Sequence, residues 1–198
     1  MAIFSLKSKE VLSNLTAPAN IDLGAMIPLM TTTLSTSAAS VTFSDIPQSY
    51  EHLQIRAILK DNTNSTGATN IEMRFNSDSG SNYTRHYLRG TGTAADAGAS
   101  TSDSKFTVGT AIQNGAGLTS MFGAMIVDIL DYTNANKYKT VRSLSGQDSN
   151  GAGTQGMWLQ SGVWMNTNAV TSISLFSSSS NINTYSSFAL YGIKRAGA

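Results

Sequence analysis

Apolar residues in this chain come in short alternating runs, and Gly, Ser, Thr and Asn fill the intervals between them. Alternation at period two puts every second side chain on one face of an extended strand, so such a chain buries its apolar surface by packing sheets. Leu53, Ile55, Ala57 and Leu59 alternate with Gln54, Arg56 and Ile58. Ile71, Met73 and Phe75 alternate with Glu72, Arg74 and Asn76, and the last run is Ser187-Phe188-Ala189-Leu190-Tyr191-Gly192-Ile193-Lys194. No convincing helical period lies between these runs.

Strand signals recur from residue 40 onward. After 41–43 and 53–59, residues 71–76 and 83–89 read as a hairpin joined by the polar turn 76–82. Residues 91–103 are low-complexity Gly, Ala, Ser and Thr and read as a surface excursion. A strand near 106–108 follows. Residues 122–130, with Ile126, Val127 and Ile129, form the most apolar segment and are placed centrally in a sheet. Segments 138–144, 157–165, 170–176 and 187–194 complete nine or ten strands. The expected fold is all-β, an antiparallel β-sandwich of jelly-roll type, with an up-and-down barrel as the competing architecture.

The beginning of the chain is different. Pro18 and Pro28 favour extended backbone around residues 20–27, and residues 31–40 are almost entirely Thr, Ser and Ala. Such a stretch lacks the apolar periodicity to fold alone. Residues 1–39 therefore read as an extended N-terminal arm for attachment or assembly, and residues 40–198 as the sandwich domain.

Composition narrows function. Charged residues are 13% of the chain and the net charge is +1, which leaves no positive field to hold nucleic acid. The chain has no cysteine, which excludes disulfides and thiolate metal sites. Asp128 interrupts the best apolar run, so no membrane-spanning helix is expected, and Lys7, Lys9 and Glu10 stand where a signal peptide would begin its apolar segment. The reading is a soluble protein made in the cytoplasm.

Motifs with chemical meaning are few. Gly151-Ala152-Gly153-Thr154-Gln155-Gly156 matches the dinucleotide fingerprint by letter, but strand-like sequence follows it and no Asp or Glu occurs beyond Asp148. It reads as a loop, and no cofactor is expected. His52 and His86 are the only imidazoles, with Asp45, Glu51, Asp78, Asp128 and Asp131 as candidate acids. No catalytic triad or metal-ligand spacing joins them, so neither a catalytic residue nor a metal site is assigned. Oxygen-bearing side chains alternate through the 76–82 loop as in calcium loops, yet it has one carboxylate and lacks the terminal Glu; turn chemistry accounts for it. Trp158 and Trp164 share one strand face, as do Tyr83 and Tyr87. These four rings are the candidate aromatics for stacking on a host surface glycan or packing at an interface, with core packing as the alternative.

Three stretches together resemble small virion proteins of tailed bacteriophages, of the tail-fibre-like or minor structural kind. They are Val41-Thr42-Phe43-Ser44-Asp45-Ile46-Pro47 with Tyr50-Glu51-His52-Leu53, then Phe75-Asn76-Ser77-Asp78-Ser79-Gly80-Ser81-Asn82-Tyr83, and the closing run from Ser187 to Lys194. The resemblance implies a β-sandwich without enzymatic activity that assembles, usually as a homotrimer, onto a major capsid or tail protein of the virion. It carries over no site residues. A capsid decoration or cement protein is favoured over a tail fibre or adaptor, because the chain shows no coiled-coil or repetitive shaft.

Overall fold

The computed structural model describes residues 25–151 and 155–195. Among them every regular element is a strand: β1 (Met26–Thr33), β2 (Ser40–Phe43), β3 (His52–Asp61), β4 (Ala68–Phe75), β5 (Tyr83–Gly90), β6 (Ala95–Asp103), β7 (Phe106–Gln113), β8 (Gly123–Leu130), β9 (Lys139–Gln147), β10 (Gly156–Trp164), β11 (Ile173–Ser177) and β12 (Ser187–Ile193). They hydrogen-bond into one open mixed sheet in the order β2-β11-β4-β7-β3-β8-β9-β10-β5-β6. β12 also pairs with β3 and carries β1 on its other side.

One short join makes the sheet mixed. β3 runs antiparallel to β12 as far as Ile58 and to β8 as far as Leu59, and then Lys60 and Asp61 pair in parallel with Ile112 and Gln113 of β7. The expected alternation holds up to that point, with Leu53, Ile55, Ala57 and Leu59 buried and Arg56 and Ile58 exposed. Buried Lys60 and Asp61 then mark the change of neighbours. The Lys60 ammonium donates to the Leu118 carbonyl and lies 5.7 Å from the Phe122 ring centre, while Asp61 accepts from the Ser177 hydroxyl at 2.6 Å. Buried polar groups persist only with such partners. Burial pushes the Lys60 pKa below its usual value.

An aromatic cluster ties distant strands together. Phe75 of β4 meets Phe106 of β7 at 5.5 Å and Trp164 of β10 at 5.4 Å, and Tyr83 of β5 meets Phe106 at 4.9 Å, all edge-on. Edge-on ring pairs add about 0.5–1.5 kcal/mol each beyond the area they bury.

Three expectations change. The 71–89 hairpin does not form: β4 pairs with β7 and β11, and β5 with β6 and β10. The connecting loop holds Asn76 and Ser77 at φ 50° and 57°, and the Tyr83 hydroxyl donates to the Asp78 carbonyl at 3.0 Å. That geometry turns the chain away from β4 instead of folding it back alongside. Residues 95–103, read as a surface excursion, form β6, because pairing with β5 supplies the order that their small side chains do not encode. In the segment read as an arm, residues 1–24 lie outside the described residues, but Met26–Thr33 is β1, in register with β12 from Met26↔Ile193 to Thr33↔Ser187. Ala38 then bridges Ile182.

Candidate functional site

The strand ends bring one set of ionisable groups together. His52 opens β3, Asp131 follows β8, and Lys194 and Arg195 follow β12; Glu51, Asp131, Lys194 and Arg195 line an open groove of about 610 Å³ beside His52. Ligand atoms of Glu51, His52 and Asp131 lie within 4.8 Å of one another. Asp131 takes φ 50°, a left-handed turn that Asp tolerates better than most residues, and this aims its amide at His52.

Each of the three is already engaged. The Asp131 amide donates to His52 Nδ1 at 3.0 Å, which leaves the proton of the neutral ring on Nε2. Asp131 Oδ2 accepts from Lys137 Nζ at 2.7 Å, and Arg195 Nε stands 3.5 Å from Glu51 Oε1. The Lys137 hydrogen bond holds the Asp131 carboxyl below the usual carboxylate range, against a smaller opposing effect of burial. A divalent cation would have to displace an ammonium, a guanidinium or a backbone N–H. As built, the cluster is a polar clasp between the start of β3, the β8–β9 turn and the end of β12.

The other sequence candidates are dispersed. Asp128 lies on the outward face of β8, accepting from Gln54 Nε2 at 2.8 Å and Arg142 at 3.1 Å. His86 is exposed on β5. In the 76–82 loop, Asp78 accepts from the Gly80 amide at 2.8 Å, Asn82 Nδ2 at 2.9 Å and the Trp164 indole N–H at 2.7 Å. Burial raises its pKa, but these donors outweigh it, and the carboxyl lies below its usual range. Its oxygens therefore serve turn chemistry and core anchoring. Residues 152–154 of the glycine-rich stretch lie outside the described residues.

The four aromatics do not make an exposed platform. Trp158, Trp164 and Tyr83 are buried, and Tyr87 is half-buried beneath β6, where its ring fills the space beside Gly98 and carries the Arg85 guanidinium 5.7 Å from its centre. Both pairs do share a face, but it is the inward one. Burial pushes the Tyr83 phenol up to about 12. Sequence alone shows Glu51, His52 and Asp131 as separate ionisable residues, since His52 and Asp131 are far apart in the chain and only β3–β8 pairing brings them together.

No protein-family model and no curated protein matches the chain. A solved structure of a protein of unknown function from Shewanella oneidensis aligns over 88% of this chain and 79% of its own, at 12% identity and a TM-score of 0.22. A likeness that weak carries no inference about fold or function.

Proposed function

We propose that this protein is a non-enzymatic structural component of a tailed-phage virion, with a capsid decoration or cement role favoured over a fibre or adaptor role. The observation that carries the reading is how the ionisable groups are spent. Asp78 anchors Trp164, Asp131 and Glu51 meet Lys137 and Arg195, and the His52 Nδ1 lone pair is held by a backbone amide. Groups committed in this way hold loops in place. The phage assignment itself rests on the sequence resemblance, and assembly as a homotrimer on a capsid or tail protein is part of the same proposal.

The body is read as a sandwich. The chain passes repeatedly between the ladder β2-β11-β4-β7 and the longer ladder that includes β3, β8, β9, β10 and β5, as jelly-roll winding requires. A Cβ at Gly109 of β7 would meet the side chains of Met125 on β8 and Ser145 on β9, which supports face-to-face packing of the two.

Attachment is assigned to residues 1–24, because Met26–Thr33 is a strand of the body. Immunogold electron microscopy of phage particles from cells expressing the gene should label virions. The chain beginning at residue 25 should stay folded and fail to bind them. Unlabelled virions overturn the virion role, and binding by the shortened chain overturns the assignment of attachment to residues 1–24.

A further inference from the structure

The outward face of the longer ladder carries an apolar band that inward packing does not use. Directly paired positions line up across it as Arg56, Ile126, Leu144, Leu159, Leu88 and Ala97 on β3, β8, β9, β10, β5 and β6. Two residues along each strand, the next row reads Ile58, Ala124, Gly146, Met157, Gly90 and Ala95. Of the nine large apolar side chains left exposed among the described residues, six stand in these two rows, at 39% to 61% exposure. An alternating strand of a sheet with a wet outer face should place polar residues there.

We propose that this face is a self-association surface on which a second copy of the chain packs through Leu88, Ile126, Leu144 and Leu159. The inference deepens the assembly reading above and rests on it. Three observations select another copy as the occupant. The first is size: seven strands from β12 to β6, spaced about 4.8 Å and about eight residues long, span on the order of 800 Å², the share one partner contributes to a standard interface. The second is anatomy. The apolar rows are bordered on one side by the polar row Gln54, Asp128, Arg142, Ser161 and His86, an apolar centre against a polar margin as stable interfaces have.

The third is self-complementarity. The tall row of Ile126, Leu144 and Leu159 runs beside a trough floored by Ala124 and Gly146, and a depression of about 440 Å³ opens next to Ile58 and Ile126. A two-fold axis across the band sets each ridge against the other copy's trough, so the same patch serves both partners and joins copies in pairs, in addition to the three-fold contacts of the proposed trimer. The chain's net charge of +1 adds no appreciable repulsion between copies.

Sedimentation equilibrium of the full chain tests this. Wild type should associate, and Leu144→Lys and Leu159→Lys should each weaken association about 100-fold by burying an unpaired ammonium, with unchanged circular dichroism because both sites are exposed. Tyr185→Lys, exposed but off this face, should associate as wild type does. As a second readout, Leu144→Cys gives the cysteine-free chain a single thiol, and a spin label there should report a short distance between copies. An assembly of wild-type size that persists in both lysine variants overturns this face while leaving the assembly reading intact. A wild-type chain that stays monomeric overturns both.

Discussion

Asp78 shows how one side chain sets local structure. Its carboxylate accepts from the Trp164 indole, the Asn82 amide and the Gly80 backbone, so it fixes both the loop after β4 and the ring at the centre of the aromatic cluster. Asp78→Ala strands the buried indole N–H and should cost about 2–4 kcal/mol in urea unfolding. The folded carboxyl titrates below the usual 3.8, so its contribution is present above that value and is lost as pH falls through the lower one. Acid unfolding curves of wild type and Asp78→Ala should therefore converge below pH 4. Tyr83 gives the opposite limb. Its phenol is raised from 10.0 to about 12, so its stabilisation is complete below pH 10 and drains away as pH climbs toward 12. Tyr83→Phe should be less stable at pH 7, losing the bonds to the Asp78 carbonyl and the Phe75 amide, and should show a flatter loss of stability above pH 10.

Close packing makes two demands at the level of the strand. At Gly162 of β10 an added Cβ would come within 2.5 Å of the Thr84 carbonyl oxygen on β5 and 2.7 Å of the Phe106 ring. Gly162→Ala should destabilise the fold by about 2–4 kcal/mol, because neither a paired backbone nor a packed ring yields cheaply. Thermal melts check it. Lys139 at the start of β9 makes the second demand: its buried ammonium donates to the carbonyls of Asn134 at 2.5 Å, Lys137 at 2.9 Å and Thr167 at 2.9 Å. Lys139→Met leaves three acceptors without this donor and should lower stability by about 3 kcal/mol, with hydrogen exchange speeding first in the loops after β8 and β10. Truncation separates the start of the chain in the same way. Beginning at residue 25 keeps β1, whereas beginning at residue 35 exposes the edge of β12 and should promote aggregation, visible in light scattering.

Over the whole molecule, legibility followed the range of the forces involved. Alternation marked β3, β4 and β12, because period two is imposed by the strand itself wherever one face is buried, and a continuous apolar run marked β8. It could not mark β6, whose Ala, Gly and Ser residues become a strand through pairing with β5, or β1, whose order comes from β12. The 76–82 loop was legible as a turn, but not as one that sends β4 and β5 to different neighbours. The same limit applied to the candidate site, since Glu51, His52 and Asp131 were each visible as ionisable residues while the cluster joining them depends on register across β3 and β8. It applied to the outer apolar band as well: Ile126 reads as core on its own strand, and only pairing sets it beside Leu144, Leu159 and Leu88 on an outward face. Local sequence thus determined that the chain is all-β and where its principal strands lie. Which strands meet, and so which side chains share a groove or a surface, was decided by contacts between segments far apart in the chain, and no local pattern records those.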